Sequence, residues 1–135
     1  EIEQRIIPMQ NIGIDISLTS WIYDIATFNA GMDIMCLTSK NEGTPVSLIE
    51  AQASNLPVVS TDVGGVLDIV EQNETGFIIS RNNKSDFVSK LQLLIENDEI
   101  RQKMKKKGWQ NVYQKYSYQR LAKDMETYYQ ELLNL

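Results

Sequence analysis

The stretch 33-DIMCLTSKNEGTPVSLIEAQASNLPVVST-61 decides how this chain is read. It opens on 33-DIMCL-37, a continuous apolar run of the kind found in a strand covered on both faces. The turn-forming residues 38-TSKNEG-43 read as a loop, and Thr44 followed by Pro45 supplies a capping side chain and a first helical residue with preset φ. A helix is therefore predicted from about Pro45 to near Asn55, a residue that tolerates the left-handed conformation. The run 57-PVVS-60 is the next strand.

The same alternation continues outward. A second loop, 61-TDVGG-65, leads to a short helix through Val66, Ile69 and Val70, and 76-GFIIS-80 supplies a further strand. Upstream, Ile12, Ile14, Ile16 and Leu18 alternate with Gly13, Asp15 and Ser17, which predicts a strand with one buried face. Residues 20–30 carry Trp21, Ile22, Ile25, Ala26 and Phe28 at helical spacing and stop at Gly31. Downstream, Ser85 is expected to cap a helix over 86–97, Asp98 one to about Tyr116, and Ser117 a last one with Leu121, Met125, Tyr128 and Leu132 in one stripe. Strands alternating with helices predict an α/β fold: a Rossmann-like parallel sheet with helices on both faces and a helical C-terminal part.

At 135 residues, with 42% hydrophobic and 23% charged content, the chain has the size and make-up of one globular domain. Its net charge of −5 argues against electrostatic capture of nucleic acid. The basic run 103-KMKKK-107 lies in a helical pattern with Ile100, Met104, Gly108 and Val112 on the other side, and reads as a solvated face. Cys36 is the sole cysteine, expected as a small core hydrophobe, so no internal disulfide forms. No transmembrane run or leader is evident, and a cytoplasmic location is expected, peripheral to a membrane only through other parts of a larger protein. The chain has no histidine. That excludes Ser-His and Cys-His nucleophiles, imidazole bases and most zinc chemistry.

In open parallel sheets, ligands bind outside the carboxyl ends of the strands, where both loops 38–43 and 61–65 are expected. The helix start at Thr44, Val46 and Ser47 presents unpaired N–H groups suited to a phosphate, although Pro45 contributes none. Glu50 sits in the apolar run 46-VSLIEAQA-53, where a carboxylate calls for a partner. Glu42 and Glu50 are too far apart along the chain to work as an adjacent acid–base pair. An extended ligand offers each of them a different end, since a carboxylate accepts hydrogen bonds from vicinal hydroxyls of a sugar or a ribose. Glu50 on a solvent-facing edge and Glu42 capping a turn is the structural alternative. The pair Gly64-Gly65 is either a plain turn or a place where backbone approaches a ligand closely.

Taken together, Ser39, Glu42-Gly43, Leu48-Ile49-Glu50-Ala51, Ala53, Pro57-Val58-Val59, Thr61, Gly64-Gly65 and Gly76 resemble the carboxyl-terminal, donor-binding domain of retaining GT-B glycosyltransferases of the group 1 family. Glu42 and Glu50 have that family's E-x7-E spacing, and the register is close from about Asp33 to Phe77. The resemblance implies a nucleotide-diphosphosugar substrate, commonly a UDP- or GDP-sugar, with no separate cofactor and no metal. It implies a catalytic-site role for Glu42 at the donor hexose, backbone contacts from Gly43 and Thr44, diphosphate contacts from Val46 and Ser47, and ribose contacts from Glu50. Thr61, Gly64 and Gly65 are implied to border the donor. Transfer with retention would follow front-face departure, the leaving diphosphate helping to deprotonate a carbohydrate or lipid-linked acceptor.

Two departures matter. Leu67-Asp68 stands where the family usually has a glutamate, and nothing upstream matches the Arg and Lys that neutralise the donor diphosphate. The whole of 1–135 is accordingly expected to be a single, N-terminally truncated nucleotide-sugar-binding domain, its acceptor domain absent, and unable to transfer sugar alone. A nucleotide-sugar 2-epimerase of the same fold and a non-catalytic nucleotide-binding or scaffold module are the alternatives.

Overall fold

The computed structural model describes residues 2–133. In chain order its elements are helices α1 (Ile2–Asn11) and α2 (Ile25–Ala30), strand β1 (Met35–Leu37), helix α3 (Val46–Ala53), strand β2 (Val58–Thr61), helix α4 (Val66–Ile69), strand β3 (Gly76–Ile79), and helices α5 (Lys84–Glu96), α6 (Asp98–Tyr116) and α7 (Tyr118–Leu133). The three strands form one parallel sheet in the order β1-β2-β3, with Met35 opposite Val58 and Val58 opposite Gly76. Parallel pairing follows from the helical crossovers between strands.

Successive side chains of β2 point to opposite faces, and this splits the core in two. Val58 packs with Leu48, Ala51, Val66 and Ile69 of α3 and α4. Val59 packs with Phe77 and Ile79, and with Leu94 and Met104 of α5 and α6. The sheet is thus covered by helices on both faces, as the alternation predicted. Helix α6 also reaches α3. Gly108 gives it the close approach, since a Cβ there would meet the Gln52 side chain at 3.3 Å, and Asn111 donates from Nδ2 to the Ile69 carbonyl at 2.7 Å.

The two edges of the sheet differ. On the outer side of β3, the Gln72 side chain accepts from the Ile78 N–H at 2.7 Å and donates to the Ile78 carbonyl at 3.2 Å. No strand pairs with the outer side of β1 among the described residues.

Several local expectations need correction. Residues 12–18 form no strand: Ile12 is 77% exposed, and the segment is tied back to α1 by Ile14 N–H on the Met9 carbonyl and Gln10 Nε2 on the Ile16 carbonyl. These bonds hold it beside α1, and alternation alone does not draw it onto β1. The helix expected over 20–30 is confined to α2, because Asp24 caps it by accepting from the Thr27 N–H at 3.0 Å. Cys36 is exposed on β1, not a core residue, because β1 is an edge strand. Pro45 occupies the cap position of α3, so the helix starts at Val46 and Thr44 makes no capping bond. Asn83 and Asn97 cap α5 and α6 in place of Ser85 and Asp98, each sitting just ahead with its side-chain oxygen on an N–H. Ser117 Oγ does accept from the Arg120 N–H, as expected. The stripe on α7 exists, yet Leu121, Met125, Tyr128 and Leu132 are all exposed.

Candidate functional site

The carboxyl ends of β1 and β2 carry the two loops singled out from sequence. Loop 38–45 is held through three of its own carbonyls. Thr61, at the end of β2, donates from Oγ1 to Ser39 O at 2.8 Å. Arg81, just beyond β3, donates from Nη1 to Lys40 O at 3.1 Å. Gly65 N–H donates to Gly43 O at 2.8 Å. Glu42 therefore stands on a loop fixed from both flanks, and fixing the backbone removes freedom that a ligand would otherwise have to freeze.

The glycine pair makes this possible. Gly64 has φ +52, and a Cβ there would lie 1.9 Å from the Glu42 carbonyl oxygen; at Gly65 it would lie 2.8 Å from Gly43 O. The pair is more than a plain turn: it lets one loop backbone lie against another. Gly43 itself is sterically free, with nothing within 4 Å of where a Cβ would stand.

Behind the loop, α3 begins with Val46 and Ser47, whose N–H groups precede the first intrahelical bonds and meet no side-chain cap. Thr44 and Val46 are exposed and Ser47 is half-buried, so this helix start is open to an incoming group. Glu42 and Glu50 are both half-buried, and neither carboxylate has a hydrogen-bond or ion-pair partner among the described residues. Thr61, Gly64 and Gly65 are thus brought together with the Glu42–Gly43 loop. Glu50 lies more than one turn into α3 and faces a separate recess.

That recess, about 680 Å3, is lined by Glu50 together with Ser20, Trp21, Ile22, Tyr23 and Ile25. Trp21 and Tyr23 are 79% and 92% exposed, so two aromatic faces stand free beside an unpartnered carboxylate. Sequence reasoning had placed Trp21 inside a helix and missed this. The signal was present in 24-DIAT-27: an aspartate three residues before an N–H donor marks a helix start and leaves Trp21 and Tyr23 in the loop.

Among the described residues there is no cluster of His, Cys, Asp or Glu suited to a metal ion, and no helix is long and apolar enough to cross a membrane.

Comparison with known proteins bears on this geometry. Residues 4–111 match the family described as glycosyl transferases group 1. The chain is 29% identical over 119 residues to the capsular polysaccharide biosynthesis glycosyltransferase CapM of Staphylococcus aureus, an alignment covering 88% of this chain and 31% of that protein. A variant of S. aureus TarM, solved with fondaparinux, alpha-GlcNAc-glycerol and UDP, superposes with a TM-score of 0.79 at 26% identity, over 92% of this chain and 25% of TarM. The C-terminal domain of the group 1 family protein LpcC from Francisella tularensis has the same fold, with a TM-score of 0.74 at 24% identity over 86% of this chain and 62% of that one. The chain spans less than a third of the length of CapM and of TarM.

Proposed function

This chain belongs to the group 1 glycosyltransferases, and from that premise we propose that it is the donor-binding part of a larger enzyme that moves a hexose-type sugar from a nucleoside-diphosphosugar to an acceptor with retention. The observation that carries the reading is the pinned loop: Glu42 is held by contacts to Ser39, Lys40 and Gly43 immediately ahead of the open start of α3. Glu42 receives the donor hexose, with Gly43 and Thr44 offering backbone groups. The N–H groups of Val46 and Ser47 meet the diphosphate, where the helix dipole favours negative charge. Glu50 accepts from the ribose hydroxyls, and the base lies toward Trp21 and Tyr23. Thr61, Gly64 and Gly65 act by holding the Glu42 loop. The diphosphate leaves from the face on which the acceptor hydroxyl attacks and takes up its proton, so no side-chain base is required.

The nucleotide completes the hydrogen bonding of Glu50, which otherwise stays half-buried and unpaired. Hydrogen bonds from two hydroxyls to a carboxylate contribute about 1.5–3 kcal/mol. Titration of the chain with UDP and GDP is therefore expected to give saturable binding to one of them, weakened roughly 10- to 100-fold by Glu50→Ala with no loss of folded structure. No binding of either nucleotide, or equal binding by wild type and variant, would refute the reading and favour a scaffold module. The isolated 135-residue chain is expected to bind donor without transferring sugar, because it spans less than a third of the length of the glycosyltransferases CapM and TarM that it matches.

A further inference from the structure

A second cleft, about 620 Å3, opens where the carboxyl ends of all three strands meet the start of α5. It shares no lining residue with the recess at Glu50. Thr38 and Thr61, at the ends of β1 and β2, contribute hydroxyls, and Phe87 and Val88 of α5 contribute an apolar wall. Lys40, Arg81 and Lys84 also line it, and no acidic residue does; Glu42, Asp62 and Asp86, the carboxylates nearby in sequence, are outside the lining.

None of these cations takes part in an ion pair among the described residues. The pairs present use Arg101, Lys107, Lys115 and Arg120. In a chain of net charge −5, unpaired positive groups gathered around one concavity repel one another and attract an anion. Arg81 is already oriented. Its Nη1 bond to Lys40 O ties the guanidinium to the neighbouring loop, and the remaining N–H groups are left for a planar or tetrahedral oxyanion.

The geometry points to a binding site for a phosphate ester other than the nucleotide donor. The phosphate sits among Lys40, Arg81 and Lys84, and the organic group of the ester lies against Phe87 and Val88. The cleft is separate from the recess at Glu50, although Lys40, Thr61 and Arg81 also help to hold the Glu42 loop.

The test is an amide chemical-shift titration of the chain with phenyl phosphate and with inorganic phosphate, repeated with saturating UDP present. Phenyl phosphate is expected to shift the Lys40, Arg81, Lys84 and Phe87 amides saturably, at least 5-fold more tightly than inorganic phosphate, and equally with or without UDP. Arg81→Gln and Lys84→Gln should each weaken it at least 5-fold. Lys84 makes no side-chain hydrogen bond among the described residues, so Lys84→Gln remains informative if Arg81→Gln loosens the loop. Unchanged affinity in Lys84→Gln, equal affinity for the two phosphates, or displacement by UDP would each overturn the proposal. Failure of both UDP and GDP to bind would count against the donor site alone.

Discussion

Gly64→Ala tests whether the two loops are built on each other. The new Cβ would stand 1.9 Å from the Glu42 carbonyl oxygen and 2.7 Å from its carbon, so the loops must part by about 1 Å to reach the 3.0 Å that real side chains need. Alanine at φ +52 adds about 1 kcal/mol that glycine does not bear. Parting the loops strains the bonds from Gly65 N–H to Gly43 O and from Thr61 Oγ1 to Ser39 O, each contributing about 1 kcal/mol. The expected loss is about 3 kcal/mol, a large share of the roughly 5–15 kcal/mol that stabilises an ordinary domain. In a chain of this size it lowers the melting temperature by about 10 °C. Gly43→Ala is the control: a Cβ there meets nothing within 4 Å and φ is not positive, so its melting temperature should stay within about 2 °C of wild type. Thermal unfolding followed by far-ultraviolet circular dichroism measures both. A Gly64→Ala protein that melts with the wild type, or a Gly43→Ala protein that falls as far, would refute the reasoning.

Two further outcomes are expected. Gln52 is fully buried with Oε1 unpartnered, and its Nε2 bonds to Leu48 O and Ile69 O are both long at 3.4 Å, the latter carbonyl already serving Asn111. Gln52→Met removes an orphaned acceptor at nearly constant shape, so urea unfolding should show stability unchanged or raised by about 1 kcal/mol; a loss above about 2 kcal/mol would show that the long bonds matter. The Thr27 N–H holds the Asp24 carboxyl below its usual 3.8. Because the folded value is the lower one, this contribution to the α2 cap is present above pH 3.8 and is lost as pH falls through the folded value. The Thr27 amide resonance should titrate with a midpoint under 3.8, and a midpoint at or above it would contradict the cap.

The sheet was legible because its signals are local and mutually consistent. The run PVVS is short, β-branched and preceded by a helix end, which reads as a covered strand, and the proline at 45 sets a helix start within one residue. Segment 12–18 misled because alternation reports what a strand would bury if a neighbour accepted it, and here α1 satisfies its backbone first. Cys36 misled for the related reason that an apolar run does not say which strand will lie at an edge. Cap positions moved by one or two residues wherever an asparagine stood beside a serine or aspartate, since either side chain can accept the same N–H. The E-x7-E pair was visible as spacing. The contact between the two loops was not, because the acceptors that Thr61 and Gly65 find, Ser39 O and Gly43 O, are main-chain carbonyls that carry no residue identity. Likewise the clustering of Lys40, Arg81 and Lys84 comes from parallel topology, which brings together residues more than forty positions apart.

The Gln72 side chain gives the sheet a polarity in how it can grow. With both outward-facing main-chain groups of Ile78 already occupied, a further chain cannot add beside β3 without first displacing that amide. Among the described residues, the Met35–Leu37 margin has no such stopper. Under conditions that loosen the fold, self-association by strand addition should therefore proceed from one flank only, and a charged residue in place of Cys36 should suppress it more than any change along β3.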